Sequence, residues 1–306
     1  MEDNVLPEKL RLTRQIFWFF ICWFGGSIFG MLFMQTIASG LGIGDFQYLI
    51  EKIKAGEFLE RINSVKIVSM AGHFATYTLS SLSFAYLIHK AAFPKYLILD
   101  KSPGILSIPL IIIAMAAVYP LALWVAYLNI NMLPHHLVAE DTLQFEQKLM
   151  LMNSVGDLVF NLLLLGLIAG VGEELLFRGI LQRFIAQYSK NLHIAVWGTA
   201  ILFSMIHFQP EGFIPRFLLG ALLGYLSVWT GSLWASILGH VSFNSIQVLL
   251  FYFLADADKS GSIYQKPDFS IGFTIFITGI SIFVCFVLWK TNRKKALKPS
   301  EYSVIS

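Results

Sequence analysis

Long apolar runs alternate with short polar stretches along almost the whole chain. Eight such runs stand out, at about residues 16–38, 66–88, 104–128, 154–177, 193–208, 213–230, 232–254 and 271–289. A helix needs roughly 20 apolar residues to cross a bilayer, and most of these runs reach that length. The expected fold class is therefore all-α: a polytopic transmembrane helical bundle of about eight spans. The fifth run is short and stops at Gln209-Pro210-Glu211-Gly212, a turn signal. Residues 1–15 are charged and lead into the first run without a small-residue cleavage site, which predicts a retained first span rather than a removed signal peptide. Between the first two runs, Phe46, Leu49, Ile50 and Ile53 recur at helical spacing among Glu51, Lys52 and Lys54, as in an amphipathic helix lying on the membrane surface.

Composition agrees with the pattern. Of the 306 residues 56% are hydrophobic and 13% charged, and mean hydropathy is +0.68. Soluble domains are about 45–50% apolar and about 25% charged. The surplus requires lipid as solvent, and a net charge of +3 argues against a nucleic-acid partner. Cys22 and Cys285 both fall in apolar runs and give neither a disulfide framework nor a paired metal spacing. With eight spans and both termini inside, the inner segments hold 14 Lys and Arg and the outer loops 8, together all 22. The positive-inside rule then favours a multi-pass protein of the cell membrane with both termini cytoplasmic. Three regions are expected: amino-terminal helices with the amphipathic segment over 1–150, a helical core over 151–255, and a last span with a basic tail over 256–306.

An ionisable residue inside a span is a functional candidate, because burying charge in lipid is costly. Three polar clusters meet that criterion. The first is Gly172-Glu173-Glu174-Leu175-Leu176-Phe177-Arg178. Glu174 and Arg178 are four apart and share a helix face, so they can pair. Glu173 is rotated by about 100° and lacks that cation, which suits a general base. A simple Glu–Arg pair marking a helix end is the plainer reading of this cluster taken alone. The second is Phe203 to His207, at the end of the fifth run, where a lone His is more often a packing residue. The third is His240 with Asn244, four apart in the seventh run, a pattern that also serves as an interhelical hydrogen-bond pair. His135-His136 and Glu140-Asp141, in the loop 129–153, read as surface residues.

Glu173 lies 17 residues before Lys190 and His207 lies 17 after it. A helical hairpin with its tip at Lys190-Asn191 sets the two side chains at one level. Reflecting the seventh run about Thr230-Gly231 leaves His240 about 13 Å from that level in straight helices. A tilt, kink or broken turn has to close the gap.

In this order the three clusters resemble the CPBP family of intramembrane endopeptidases, which groups type II CAAX prenyl proteases, bacteriocin-processing proteins and abortive-infection proteins. Glu173, Glu174 and Arg178 match its first motif, Phe203 and His207 its second, and His240 and Asn244 its third. The resemblance covers roughly 154–254. It implies peptide-bond hydrolysis within the membrane, with Glu173 and His207 activating a water, His240 and Asn244 stabilising the oxyanion, and Glu174 and Arg178 in support. The implied partner is a membrane-associated peptide or protein substrate, lipidated in the prenyl-protease branch of the family. If zinc were the cofactor, Glu173, His207 and His240 would be its ligands; the chain lacks the His-Glu-x-x-His motif of zinc proteases, and a metal-free mechanism is favoured. An ion- or proton-coupled transporter is the competing class, although its two-halves pattern is missing. A non-catalytic immunity or scaffold role is the third. Gly220 and Gly224 form a small-residue pair better explained by packing within the bundle than by dimerisation.

Overall fold

A computed structural model describes residues 8–254 and 266–302, and every regular element among them is helical. The helices are α1 (Glu8–Gly40), α2 (Phe46–Lys54), α3 (62–89), α4 (Ser107–Met132), α5 (Glu140–Leu149), α6 (Val155–Ser189), α7 (Leu192–Met205), α8 (Phe213–Thr230), α9 (Leu233–Leu254) and α10 (Ile271–Asn292). The chain is a multi-pass membrane protein. The expected eight spans become six, because among the described residues only α1, α4, α6, α8, α9 and α10 are long and apolar enough to cross a bilayer. Two of the expected spans fail for different reasons. At 14 residues α7 is too short: a helix rises about 1.5 Å per residue, so it reaches only two thirds of the way across. In α3, Lys66, His73, Thr76, Thr78, Ser80, Ser81 and Ser83 dilute the apolar run.

Lipid-facing surface is plain on α1, where Phe17, Phe20, Phe24, Ile28, Met31 and Leu32 are exposed, and on α10, where Ile275, Phe276, Ile282 and Phe283 are exposed. The two helices cover different partners. Helix α10 packs on α4 and is tied to it where Ser281 Oγ donates to the Ala114 carbonyl at 3.0 Å and Asn292 Nδ2 to Ser107 Oγ at 3.1 Å. Helix α1 packs on α3 and α6 through an edge-to-face cluster of Phe19, Phe84 and Phe184 with centroids 5.7–5.9 Å apart.

The amphipathic segment forms α2, capped by Asp45, whose carboxylate accepts from the amides of Gln47 and Tyr48. Its apolar face does not simply rest on lipid. Leu49 and Ile53 are buried with Ile62, Val65 and Val68 of α3, and Phe145 and Leu149 of α5 pack against them. Helix α5 lies within what sequence alone leaves as a loop. His135 and His136 are exposed in the turn before it, as expected.

The hairpin tip sits where spacing placed it. Lys190 takes a left-handed conformation (φ 54°) and Asn191 caps α7 by accepting from the amides of His193 and Ile194. Close approach between helices is set by glycines. A Cβ on Gly170 would come within 3.0 Å of Val241 on α9, and one on Gly220 within 3.3 Å of Ala200 on α7. Gly220 and Gly224 therefore serve packing inside this chain. The long helix α6 is not uniform: residues Leu162–Ile168 and Phe177–Leu181 widen into π-helical turns on either side of Glu173 and Glu174. Such turns rotate the side chains that follow and are frequent at functional sites.

Candidate active site

Glu174 is the anchor of the polar cluster. Its Oε1 accepts from Arg178 Nη1 at 2.6 Å on its own helix and from His240 Nδ1 at 2.8 Å on α9. Arg178 Nη2 donates in turn to the Gly220 carbonyl of α8 at 2.7 Å. Neither Glu174 nor Arg178 exposes any of its side chain. One carboxylate thus holds three helices in register. An ion pair so deeply buried survives only with extra hydrogen bonds of this kind.

Glu173 faces a different set of groups. Its Oε1 lies 3.1 Å from Nε2 of His73 on α3, and its Oε2 lies 3.8 Å from Nε2 of His240. Its side chain keeps 12% exposure, in contrast to its buried neighbour Glu174. The 13 Å gap expected for straight helices is closed, since Glu173 Oε2 and His240 Nε2 stand in contact range across α6 and α9.

His207 lies just past the end of α7, where carbonyls lose their helical partners. Its Nδ1 donates to the Phe203 carbonyl at 2.8 Å, and Phe208 turns the chain away in the left-handed region (φ 52°). With Nδ1 donating, Nε2 of the neutral ring is an acceptor. The Phe203 ring stands edge-on between His207 (5.2 Å) and His240 (5.8 Å) and lies 4.8 Å from the Arg178 guanidinium. His207 stands within electrostatic range of Glu173.

Asn244 is the partial exception. It lies one turn beyond His240, but its Nδ2 donates to the Leu165 carbonyl in the first π turn of α6 at 3.0 Å. One N–H is therefore committed to holding α9 against α6, and its second remains for another acceptor. His73 was not among the residues expected from sequence, although it too is an ionisable group inside an apolar run. Among the described residues, no three His, Cys, Asp or Glu side chains are arranged to hold a metal ion.

A second polar group borders the site at the start of α8. Gln209 Nε2 donates to Glu146 of α5 at 2.5 Å, and Arg216 Nη2 donates to the Gln209 carbonyl at 2.9 Å. Asn129 Nδ2 on α4 holds the same turn by donating to the Pro210 carbonyl at 2.8 Å. Glu146 lies outside the spans. Burial pushes its carboxyl above the usual range, opposed by the Gln209 hydrogen bond and the Arg216 charge and reinforced by Glu211. A carboxyl with a raised native pKa binds more protons folded than unfolded. Stability should then fall as pH rises from the ordinary glutamate range through the raised native value. Thermal unfolding in detergent should show this slope as pH rises above the ordinary glutamate range, about pH 4, and Glu146→Gln should flatten it. An unchanged slope in that variant would remove Glu146 as its source.

Comparison with known proteins meets this geometry at the same residues. The segment 155–246, from the start of α6 into α9, matches the family described as Rce1-like, type II CAAX prenyl endopeptidases. Residues 155–246 are an Rce1-like domain. That domain holds Glu173, Glu174, Arg178, His207, His240 and Asn244, and it spans under a third of the 306 residues. A curated relative, an uncharacterized protein of Bacillus subtilis called YpbD, is 29% identical over 90 residues, which is 28% of this chain and 43% of the relative. The chain thus covers less than half of that relative's length. No solved structure matches. His73 lies outside the Rce1-like domain, on a helix that the domain leans against.

Proposed function

We propose that the protein is an intramembrane endopeptidase that hydrolyses a peptide bond of a membrane-associated, prenylated peptide or protein. The observation that carries this reading is the carboxylate of Glu173, partly exposed, with three histidines around it and Glu174 beside it, inside an Rce1-like domain.

The geometry suggests a role for each group. A water between Glu173 Oε2 and His207 Nε2 gives a proton to Glu173 while its oxygen attacks the scissile carbonyl carbon. The oxyanion so formed needs donors, and His240 Nε2 and the second N–H of Asn244 are the candidates. Because His240 Nδ1 is already spent on Glu174, donation from Nε2 requires both ring nitrogens to carry protons. The imidazolium also balances charge, since two carboxylates then face Arg178 and His240. Collapse of the intermediate breaks the C–N bond, and the proton held by Glu173 passes to the leaving amine. No step is routed through a metal, because the side chains of the described residues do not form a ligand set. The Lys and Arg count that favoured cytoplasmic termini assumed eight spans, and the six spans of this fold regroup those residues.

The test is made with purified protein in liposomes, given a peptide ending in a prenylated Cys-aliphatic-aliphatic-X sequence. The expected result is release of the last three residues, read by mass spectrometry. An intact peptide, together with proton flux across the same liposomes, would favour the transporter class instead.

A further inference from the structure

Glu173 has two carboxylate oxygens, and general-base chemistry needs one of them free. The terminal torsion of a glutamate is broad, so nothing in the residue itself selects which oxygen faces the water. On α3, His73 supplies the selection. Its Nε2 lies 3.1 Å from Oε1 of Glu173, which leaves Oε2 on the side of His240.

The ring of His73 is held from three sides. It stacks on Tyr77, one turn further along α3, with centroids 4.4 Å apart and planes 22° from parallel. The π-helical turn Phe74–Leu79 begins immediately after His73. Across the helix interface stands Gly172, the residue before Glu173. A Cβ there would come within 2.7 Å of Thr78 Oγ1, 3.2 Å of Tyr77 Cβ and 3.5 Å of His73 Cε1. Only a residue without a side chain lets α3 and α6 come this close. The two helices run parallel, tied near their first turns where Asn63 Nδ2 donates to Asp157 Oδ1 at 2.9 Å.

The tautomer follows from the surroundings. Nδ1 of His73 is buried and has no hydrogen-bond partner. A proton placed there would be a buried donor with no acceptor, whereas a proton on Nε2 meets a carboxylate. The consistent form is a neutral ring donating from Nε2 to Oε1.

We propose that His73 is a positioning residue for Glu173: it anchors Oε1 and so reserves Oε2 as the oxygen that takes the proton from water. This rests on the reading of Glu173 as the base. It also gives the amino-terminal half of the chain, outside the Rce1-like domain, a direct part in the site. The charged and titratable groups that face Glu173 are His73 and Tyr77 from α3, Glu174 and Arg178 from α6, His207 from the end of α7 and His240 from α9.

Two readouts test the proposal. The first needs no substrate. In protein labelled with nitrogen-15 histidine and held in detergent micelles, the His73 resonances are assigned by their loss in His73→Gln. They are expected to report a neutral ring protonated at Nε2 and to move in Glu173→Ala. Protonation at Nδ1, or indifference to Glu173→Ala, would overturn the proposal. The second is the pH–rate profile on the prenylated peptide. His73→Phe removes a hydrogen bond to an ionised group, which should lower kcat by about tenfold to a hundredfold. KM should change little, and the acidic limb should move to higher pH, because the carboxylate loses a donor. His73→Gln, with an amide nitrogen near the Nε2 position, should restore most of both. Gly172→Ala, which keeps both side chains but forces the helices apart, should move the limb in the same direction as His73→Phe. A purely structural role would lower the active fraction and leave the limb in place, and that result would overturn the proposal. The two readings fail separately. If Glu173→Gln is inactive while His73→Phe keeps the wild-type rate and profile, His73 is refuted and Glu173 stands. If Glu173→Gln cuts at the wild-type rate the base assignment falls, and the proposal falls with it.

Discussion

Glu173→Gln is expected to lower peptide cleavage by about a hundredfold to ten-thousandfold, the usual range for removing a general base. That corresponds to about 3–5 kcal/mol of transition-state stabilisation. The amide preserves size and can still accept from His73 through its oxygen, so the protein should fold and its thermal unfolding should stay close to wild type. The neighbouring carboxylate should not substitute. Glu174 is fully buried and its Oε1 already accepts from Arg178 and His240. Initial rates on purified variants, corrected for active fraction, provide the check. A Glu173→Gln rate within threefold of wild type would remove Glu173 from the chemistry.

The second large effect is on stability. Glu174→Ala leaves the Arg178 guanidinium buried without its counter-ion and releases His240 from its Nδ1 acceptor. Breaking a buried pair by removing one partner typically costs about 3–5 kcal/mol. The double variant Glu174→Ala with Arg178→Met should be more stable than Glu174→Ala alone, because removing both charges removes the unpaired one. Thermal or denaturant unfolding in detergent tests this as a double-mutant cycle. Strictly additive losses would show that the pair does not act as a unit. Activity should be lost in the double variant even where stability recovers, since His240 still lacks its anchor.

The clusters that spacing alone brought to notice do meet in the fold, and the reasons were partly legible. Glu174 and Arg178 pair because four residues is one helical turn. The hairpin at Lys190-Asn191 forms because Asn191 can cap a helix and Lys190 tolerates the left-handed turn. The contact of Glu173 with His240 is not derivable from straight helices, because helix tilt and bending leave no mark in the apolar pattern. The count of spans went astray for a related reason. Hydrophobic runs do not distinguish a crossing helix from the short α7, which stops two thirds of the way across. His73 was legible in principle. It sits in an apolar run and satisfies the criterion that singled out His207 and His240. Two things mask it: the other ionisable groups in apolar runs gather in the second half of the chain, and its partner lies 100 residues away in sequence. Helix α5 was hidden because it is short and polar. Glu146 gains its importance only from contact with Gln209.

Hydrolysis through an activated water leaves a mark on the product. Wild-type protein in liposomes, incubated with the prenylated peptide in water enriched in oxygen-18, should release the terminal tripeptide. The new carboxyl of the longer fragment should carry one heavy oxygen atom, and Glu173→Gln should yield little of either product. An intact peptide, or equal cleavage by both proteins, would contradict the account.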